Sequence, residues 1–181
     1  MTIEVHPVTP ERQADFIRLF EARGSPHYCW CMIYRDRKAH EMSKDEKRHR
    51  MLALIASNTP IGLLAYEEGE PAAWCSIAPR QSFPKLERSR AMPTGAAQPA
   101  WTVTCFFAKR PLRGAGVTHE LLRAAVDYAR ANGASAIEGY PWDTSGNHSR
   151  FKGHSSAFRA LGFAQDGTRW YLALQGGELG D

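Results

Sequence analysis

The feature that most constrains the fold is a continuous strand–turn–helix segment between residues 101 and 132. Residues 101–108 (WTVTCFFA) are mostly β-branched or aromatic, a composition typical of a central strand. A basic turn with glycines follows directly, and residues 118–132 then repeat apolar side chains at helical spacing and end before Gly133. This order predicts a buried strand that leads straight into an amphipathic helix, and therefore a sheet with helices packed on it.

The same turn, Lys109 to Gly116, predicts an anion site. The first amide groups of a helix lack intrahelical acceptors and carry partial positive charge. Gly114 and Gly116 remove Cβ atoms that would keep an anion from that backbone, and Arg113 adds a cation. The turn does not match a dinucleotide fingerprint, because His119 stands in place of the third glycine, and it lacks the lysine of a mononucleotide P-loop. A tight turn whose glycines serve geometry alone is the alternative.

The whole chain, residues 1–181, is predicted to form one domain. Its order of elements, β-α-α-β-β-β-α-β-α-β, gives the fold class α+β, a mixed α/β sheet with helices on its faces. Residues 79–99 are polar, basic and rich in proline and glycine, and predict a long loop. The predicted strands are 3–8, 61–66, 72–77, 101–108, 136–140 and 168–174, and the predicted helices are 10–22, 43–57, 118–132 and 155–161.

Composition narrows the classes of function. Lysine and arginine number 23 against 19 aspartate and glutamate, and the net charge of +4 allows an anionic ligand. No ordered basic and aromatic motif accompanies this charge, so no nucleic-acid partner is expected. No stretch approaches the ~18 apolar residues of a membrane span, and the N-terminus lacks the pattern of an export signal, so we expect a cytoplasmic protein without a membrane partner. Four cysteines are too few for a disulfide scaffold and are expected to be reduced.

The turn from Arg113 to Thr118 resembles the acyl-CoA pyrophosphate loop of the GNAT superfamily of N-acetyltransferases, whose pattern is Q/R-x-x-G-x-G/A. Arg113 and Gly116 match this pattern, and Thr118 stands where glycine or alanine is usual. The order of elements also resembles that family over nearly the whole chain, including the Leu161–Phe163 turn after the last helix. The resemblance implies a twisted, mostly antiparallel sheet whose central strands splay apart.

The resemblance further implies acetyl-CoA as the co-substrate, lying in the gap between the splayed strands. Strand backbone groups would pair with the pantetheine arm, and turn amides would hold the pyrophosphate. The residues so assigned are Phe106, Phe107, Ala108, Arg113, Gly114, Ala115, Gly116, Val117 and Thr118. The implied reaction is direct acetyl transfer to a primary amine of a small molecule or peptide. A catalytically weak acyl-CoA-binding or ligand-sensing module is the alternative, and a homodimer is allowed because the last strand can support pairing in this family.

The acid and base of such a reaction are not where the family often has them. A glutamate before the loop and a tyrosine on the last helix would fall near Thr102 and on Phe158, and neither side chain can carry the proton. Glu138 and Tyr140 lie two apart on one short strand and therefore share a face. Glu138 is predicted as the base or ammonium anchor and Tyr140 as the proton donor. It is equally open that Glu138 is a salt-bridged strand residue and Tyr140 a core ring.

Three further residues are predicted to contact the acceptor. They are Trp30, Trp142 and Asp143. Trp30 would wall the acceptor cavity, and the other two follow the strand that carries Glu138. If residues 27–31 are extended, His27, Cys29 and Cys31 lie on one side and could begin a zinc site, but a fourth ligand would have to come from far away. No metal is therefore expected.

Overall fold

The computed structural model describes residues 2–143 and 151–174, and within this part of the chain it forms a seven-stranded sheet with four α-helices. The strands are β1 (Ile3–Pro7), β2 (Gly62–Glu67), β3 (Glu70–Pro79), β4 (Ala100–Ala108), β5 (Ala136–Gly139), β6 (Ala164–Asp166) and β7 (Arg169–Ala173). The helices are α1 (Gln13–Glu21), α2 (Lys44–Ala56), α3 (Val117–Ala131) and α4 (Ser155–Ala160). None of these helices is long and apolar enough to cross a membrane.

The strands follow the order β1-β2-β3-β4-β5-β7-β6 across the sheet. Every neighbouring pair is antiparallel except β4 and β5, which run parallel. The predicted class, a mixed and mostly antiparallel sheet with helices, is confirmed. The short strand β6 was not predicted, because its three residues, AQD, are all exposed, include only one apolar side chain and carry no strand periodicity.

Two helix ends follow local chemistry that the sequence predicted. At the start of α2, the Glu46 N–H donates to Ser43 Oγ at 3.2 Å, and the Ser43 N–H donates to Glu46 Oε2 at 2.7 Å, which forms a capping box. After α3, Gly133 has φ +76°, a left-handed conformation that favours glycine. Helix α3 begins one residue earlier than predicted, at Val117.

The two faces of the sheet carry different helices. Leu63 and Leu64 are neighbours on β2 and so point to opposite faces. Leu63 belongs to the core that contains Leu121 of α3, whereas Leu64 belongs to the core that contains Phe16 of α1. Helices therefore cover both faces, and each fully buried Phe or Leu side chain contributes about 1.5–3 kcal/mol to stability.

Residues 80–99, which we call the strap, fold over the sheet where β4 meets β5. The strap begins with two 3-10 turns, Arg80–Ser82 and Pro84–Leu86. Its apolar side chains form a third, smaller core with Tyr140. The strap members of this core are Phe83, Leu86 and Met92. The predicted long loop is therefore an ordered cover on one face of the sheet.

Candidate active site

Strands β4 and β5 separate part-way along their length. Their parallel pairing runs from Ala100 opposite Ala136 to Val103 opposite Gly139, and the rest of β4 has no β5 partner among the described residues. On its other edge β4 stays paired with β3 as far as Ala108. The central strands are thus splayed and leave a gap beside the second half of β4.

Backbone groups of β4 face this gap. The Lys109 N–H donates to the Ala72 carbonyl of β3 at 2.9 Å. Hydrogen-bonded pairs alternate along an antiparallel ladder, so the N–H and C=O groups of Phe107, like the Lys109 N–H, face β3. The N–H and C=O groups of Phe106 and Ala108 therefore face the gap. An extended ligand in the gap would meet those groups as it would meet a neighbouring strand.

Two glycines give the turn between β4 and α3 its shape. Gly114 and Gly116 both have φ +82°, a conformation that costs energy for any residue with a Cβ atom. A Cβ built on either glycine would meet no atom within 4 Å, so the backbone angle rather than crowding requires glycine, and the main chain is open on that side. Arg113 ties the turn to β4, because its Nε–H donates to the Ala108 carbonyl at 3.1 Å.

The amide groups of the turn divide into two sets. The Ala115 N–H is used within the turn, since it donates to the Leu112 carbonyl at 3.3 Å. Gly116 is the N-cap of α3 and has no side chain to accept a bond from the first helical turn. The amides of Val117 and Thr118 stand at the first positions of α3, where a helix offers no acceptor of its own. These helix amides and the helix dipole favour an anion at this end.

A cavity of about 820 Å³ lies between β4, this turn and α4. The β4 and turn side is formed by Phe106, Phe107, Ala108, Leu112, Arg113, Gly114, Gly116, Val117, Thr118 and His119. The residues predicted to bind the cofactor are all on this wall except Ala115, whose amide is used within the turn. The structure therefore brings the predicted cofactor residues together around one space.

The opposite wall was not predicted from the sequence. It consists of Tyr28, Phe151, Gly153, His154, Ser156, Ala157 and Ala160. Most of these residues belong to α4 or to the segment before it, and a helix of six residues is too short for its pattern to show which face meets the cavity. In the sequence, the glycine at position 153 was the available signal that the chain comes close to another element here. In the structure its φ is +80°, and a Cβ there would lie 3.0 Å from the Phe106 ring.

Asp143 holds the start of α4 in place. Its Oδ1 accepts the Ser155 N–H at 2.9 Å, which caps the helix. Hydrogen bonds from the Ser155 hydroxyl and amide lower the pKa of the Asp143 carboxyl below its usual value. The neighbouring Trp142 is 53% exposed, and its main-chain N–H donates to the Gly153 carbonyl at 3.2 Å. Of these predicted acceptor contacts, Asp143 therefore positions the cavity wall, and Trp142 lies beside it.

Glu138 sits in a buried ionic network beneath the strap. Its side chain is 1% exposed, and its Oε1 accepts Arg80 Nη1 at 2.8 Å and the Thr102 hydroxyl at 3.2 Å. Its Oε2 accepts the Thr94 hydroxyl at 3.3 Å and lies 3.7 Å from Arg169 Nη1. Both carboxylate oxygens are thus engaged by donors. The base role of Glu138 stays a prediction, and these contacts support the salt-bridged interpretation that the sequence left open.

Tyr140 belongs to the same network. Its hydroxyl donates to the Pro93 carbonyl at 2.6 Å and accepts a hydrogen bond from Arg80. Burial, with the nearby Glu138 carboxylate, raises the pKa of Tyr140 above its ordinary value. The phenol proton is therefore held by the strap backbone, and the donor role of Tyr140 also stays a prediction.

The two positions that the family often uses for acid and base are filled by structural contacts. Thr102 is fully buried and lies opposite Glu138 in the β4–β5 register. Phe158 is fully buried between aromatic rings, with Phe163 at 5.0 Å and Phe106 at 6.5 Å between ring centres. Neither supplies a proton to the cavity.

The segment before α2 is not extended, so the condition for a zinc site at His27, Cys29 and Cys31 is not met. Residues 26–32 form turns instead of an extended strand, because the Cys29 N–H donates to the Pro26 carbonyl and the Met32 N–H to the Cys29 carbonyl. The alternation that would place His27 and two cysteines on one side is therefore absent. Trp30 is fully buried and stacks on Phe20 at 5.4 Å, so it does not wall the cavity.

Tyr28 takes the place predicted for Trp30. It is 54% exposed and lines the cavity, whereas the chain around it packs into the core. Cys31 accepts a hydrogen bond from Trp74 Nε1 at 3.1 Å, and its contact with Cys105 raises its pKa well above the usual thiol value. A thiol in this state is a poor nucleophile. Among the described residues, no cluster of histidine, cysteine, aspartate or glutamate has an arrangement that could hold a metal ion.

The described cavity walls carry cationic and neutral side chains only. Arg113, His119 and His154 are the residues of this set with basic side chains, and neither aspartate nor glutamate is among the described lining residues. An anionic ligand therefore meets no repulsive carboxylate on these walls.

Solved structures share this fold. An N-acetyltransferase from Staphylococcus aureus Mu50 matches with a TM-score of 0.56 at 13% identity, over 97% of this chain and 100% of that one. A GNAT family acetyltransferase from Brucella melitensis, solved in complex with acetyl-CoA, gives 0.52 at 15% identity, over 95% and 88%. Aminoglycoside 6′-N-acetyltransferase AAC(6′)-IG from Acinetobacter haemolyticus gives 0.53 at 18% identity, over 90% and 91%. At these identities the likeness shows the fold alone.

The splayed sheet and the glycine turn at the start of α3 define an acetyltransferase-like α+β protein. Residues 19–150 of the sequence match the Acetyltransferase (GNAT) family, and this match spans more than half of the chain. The chain belongs to that family. No protein of curated function matches the sequence significantly.

Proposed function

We propose that this protein is an N-acetyltransferase that transfers the acetyl group of acetyl-CoA directly to a primary amine of a small molecule or peptide. The observation that carries the proposal is the single cavity wall shared by the free edge of β4 and the first turn of α3. Family membership and the acetyl-CoA complex of the Brucella melitensis relative support it.

The residues of this wall fit acetyl-CoA in two ways. The Phe106 backbone groups and the Ala108 N–H, which face the gap, suit a pantetheine arm, which carries amides of its own. The helix amides at Val117 and Thr118, with Arg113 beside them, suit a diphosphate. When bound, acetyl-CoA supplies the activated acyl group.

Besides binding acetyl-CoA, the reaction requires a group that takes the proton from the acceptor amine. An alkylamine, with an ordinary pKa of about 10.4, must lose a proton before it can attack a thioester. Glu138 and Tyr140 are engaged in the strap network, so the protonated amine would have to displace existing donors to reach them. His119 and His154 line the described cavity, and histidine is the side chain that most often serves as a general base.

The ligand-sensing alternative rests on a specific observation: neither Thr102 nor Phe158 can carry a proton to the cavity, and Glu138 is ion-paired. Such a module would bind acyl-CoA without turning it over. Purified protein incubated with acetyl-CoA and a panel of primary amines separates the two functions, with release of free CoA thiol as the readout. The enzyme interpretation predicts thiol release that depends on the amine.

Two controls and a measurement of CoA binding define the outcomes of that assay. Hydrolysis without amine is subtracted, and the Gly116→Val variant should lose the signal because a branched side chain at φ +82° distorts the turn. Binding of CoA without thiol release from any amine would favour the sensing module. Absence of binding would overturn both functions.

A further inference from the structure

Tyr28 is an exposed aromatic residue on the cavity wall. It is 54% exposed, although its chain neighbours Cys29 and Trp30 are buried. Within the part of the chain that the structure describes, its hydroxyl makes no hydrogen bond, whereas the Tyr140 hydroxyl is held by the Pro93 carbonyl. Tyr28 therefore brings to the cavity wall a phenol that no described residue engages.

A strained turn fixes the backbone that carries this side chain. Trp30 and Cys31 have φ angles of +45° and +52°, left-handed conformations that cost energy for residues with a Cβ atom. Contacts in the core offset this cost, because Trp30 stacks on Phe20 at 5.4 Å between ring centres and Cys31 Sγ accepts Trp74 Nε1 at 3.1 Å. The turn that points Tyr28 outward is therefore ordered before a ligand binds.

The turn packs against the part of β4 that borders the gap. Cys31 contacts Cys105 of β4, and both residues pack in the core that includes Phe107. Cys105 is also among the groups whose charge acts on the Tyr28 phenol. Tyr28 therefore lies beside residues 105–107 of β4.

The sulfur end of acetyl-CoA would approach the same part of β4. The proposed diphosphate site at Val117 adjoins the end of β4, because Arg113 Nε–H donates to the Ala108 carbonyl. A pantetheine arm that extends from this site along the free edge of β4 runs from Ala108 toward Val103, where the pairing with β5 ends. This direction leads past the residues of β4 that Tyr28 neighbours.

The surroundings of Tyr28 keep its phenol protonated. Burial raises the pKa of this phenol above its ordinary value, and the thiols of Cys29, Cys105 and Cys31 act in the same direction. The His27 ring lies edge-on to the Tyr28 ring at 6.2 Å between centres. The other titratable side chains on the described cavity walls are Arg113, His119 and His154. A protonated phenol can donate a hydrogen bond to a thiolate and supply its proton.

We infer that the Tyr28 hydroxyl binds the sulfur of acetyl-CoA and is the proton donor to the thiolate that leaves during acetyl transfer. As the amine nitrogen bonds to the acetyl carbon, the carbon–sulfur bond breaks, and its electron pair stays on the sulfur, which takes the phenol proton. The proton that the amine loses returns to the phenolate through solvent. Thr102 and Phe158 do not compete for this role, since both are fully buried and outside the described lining. The inference rests on the proposed function and adds a catalytic residue to it.

Tyr28→Phe removes the phenol proton and keeps the ring. In the thiol-release assay kcat should fall at least roughly tenfold, as expected for loss of a general acid, while KM for acetyl-CoA stays near the wild-type value. Tyr34→Phe is the matched control, because Tyr34 packs in the small core beneath the strap and is not among the described lining residues. It should keep the wild-type kcat. Thermal unfolding checks that both variants are folded, and an unchanged kcat in folded Tyr28→Phe overturns the inference.

A binding readout tests the contact with sulfur without turnover. CoA and its S-methyl thioether, which cannot ionise, are titrated calorimetrically into the protein at about pH 7 and about pH 9, on either side of an ordinary thiol pKa of about 8.5. A phenol that donates to the thiolate favours the ionised thiol, so the affinity for CoA relative to the thioether should rise with pH. Tyr28→Phe should lose this rise, and Tyr34→Phe should keep it.

The two readouts separate the inference from the proposed function. If the wild type shows no such rise, or if the rise survives in Tyr28→Phe, the inference is overturned whether or not acetyl transfer occurs. If the rise depends on Tyr28 but no amine gives thiol release, the contact between phenol and sulfur is supported and the transferase function is contradicted.

Discussion

Phe158 stands where the family resemblance places a tyrosine, and its surroundings explain why no hydroxyl is present. A Cβ added to Gly139 would come within 2.5 Å of Phe158 Cε1 and 2.8 Å of its Cζ, so the far edge of the ring already rests on the β5 backbone. Phe163 and Trp170 pack edge-on against the same ring. Packing thus occupies the surroundings of this ring, and a phenol oxygen at its far edge would lie close to the Gly139 backbone.

Phe158→Tyr should therefore destabilise the protein instead of restoring catalysis. The added hydroxyl would be buried without a partner and would crowd Gly139, so we expect the free energy of unfolding to fall by about 1–3 kcal/mol. Thermal and urea unfolding measure the change. Phe151→Tyr is the matched control, because this ring is half-buried at the open cavity and should tolerate a hydroxyl. An unchanged midpoint together with faster thiol release for Phe158→Tyr would contradict the packing argument.

At the scale of elements, the strap explains why Glu138 and Tyr140, the predicted base and acid, are engaged in hydrogen bonds. Arg80 joins the Glu138 carboxylate, the Tyr140 hydroxyl and the Leu86 and Met92 carbonyls in one set of hydrogen bonds. The carboxylate and phenol thus hold twenty residues of backbone against the sheet. Removal of one partner from a buried ion pair is costly because the other charge is left uncompensated.

Glu138→Gln should loosen the strap. The variant leaves Arg80 and Arg169 without their carboxylate, so we expect a loss of about 3 kcal/mol in unfolding free energy and faster amide hydrogen exchange in residues 80–99, with α3 still protected. Glu87→Gln, which affects an exposed pair with Arg37, should cost under about 1 kcal/mol. A loss of thiol release of roughly tenfold or more per folded molecule, with normal strap protection, would instead favour Glu138 as the base.

Elements defined by nearby residues were predictable, and those defined by distant contacts were not. The β4–turn–α3 unit was confirmed because strand composition, turn glycines and helix spacing are all local properties. The path of the strap depends on a contact between residues 58 positions apart, Arg80 and Glu138. Tyr28 lines the cavity in place of the predicted Trp30 for a similar reason, since the turns at Pro26 and Cys29 set which side chain faces the core.

For the molecule as a whole, the sheet topology creates the cavity and the basic residues determine the sign of charge on its described walls. The order of the described strands places the parallel pair β4 and β5 at the centre of the sheet, and the end of that pairing opens the gap. The excess of basic residues gives a net charge of +4, and the described cavity walls share this sign. The proposed function therefore depends on one property of the molecule: the open main chain at the start of α3 binds the diphosphate of CoA.

Calorimetric titration with CoA of the wild type and two glycine variants tests this claim most directly. Gly116 and Gly133 both have left-handed backbone angles, +82° and +76°, with no atom within 4 Å of an added Cβ, but only Gly116 lies on the cavity wall. Both alanine variants should lose similar stability, about 1 kcal/mol. We predict that Gly116→Ala weakens CoA binding at least roughly tenfold, whereas Gly133→Ala binds as the wild type does. Absence of heat with the wild type, or equal affinity of the two variants, would contradict the account.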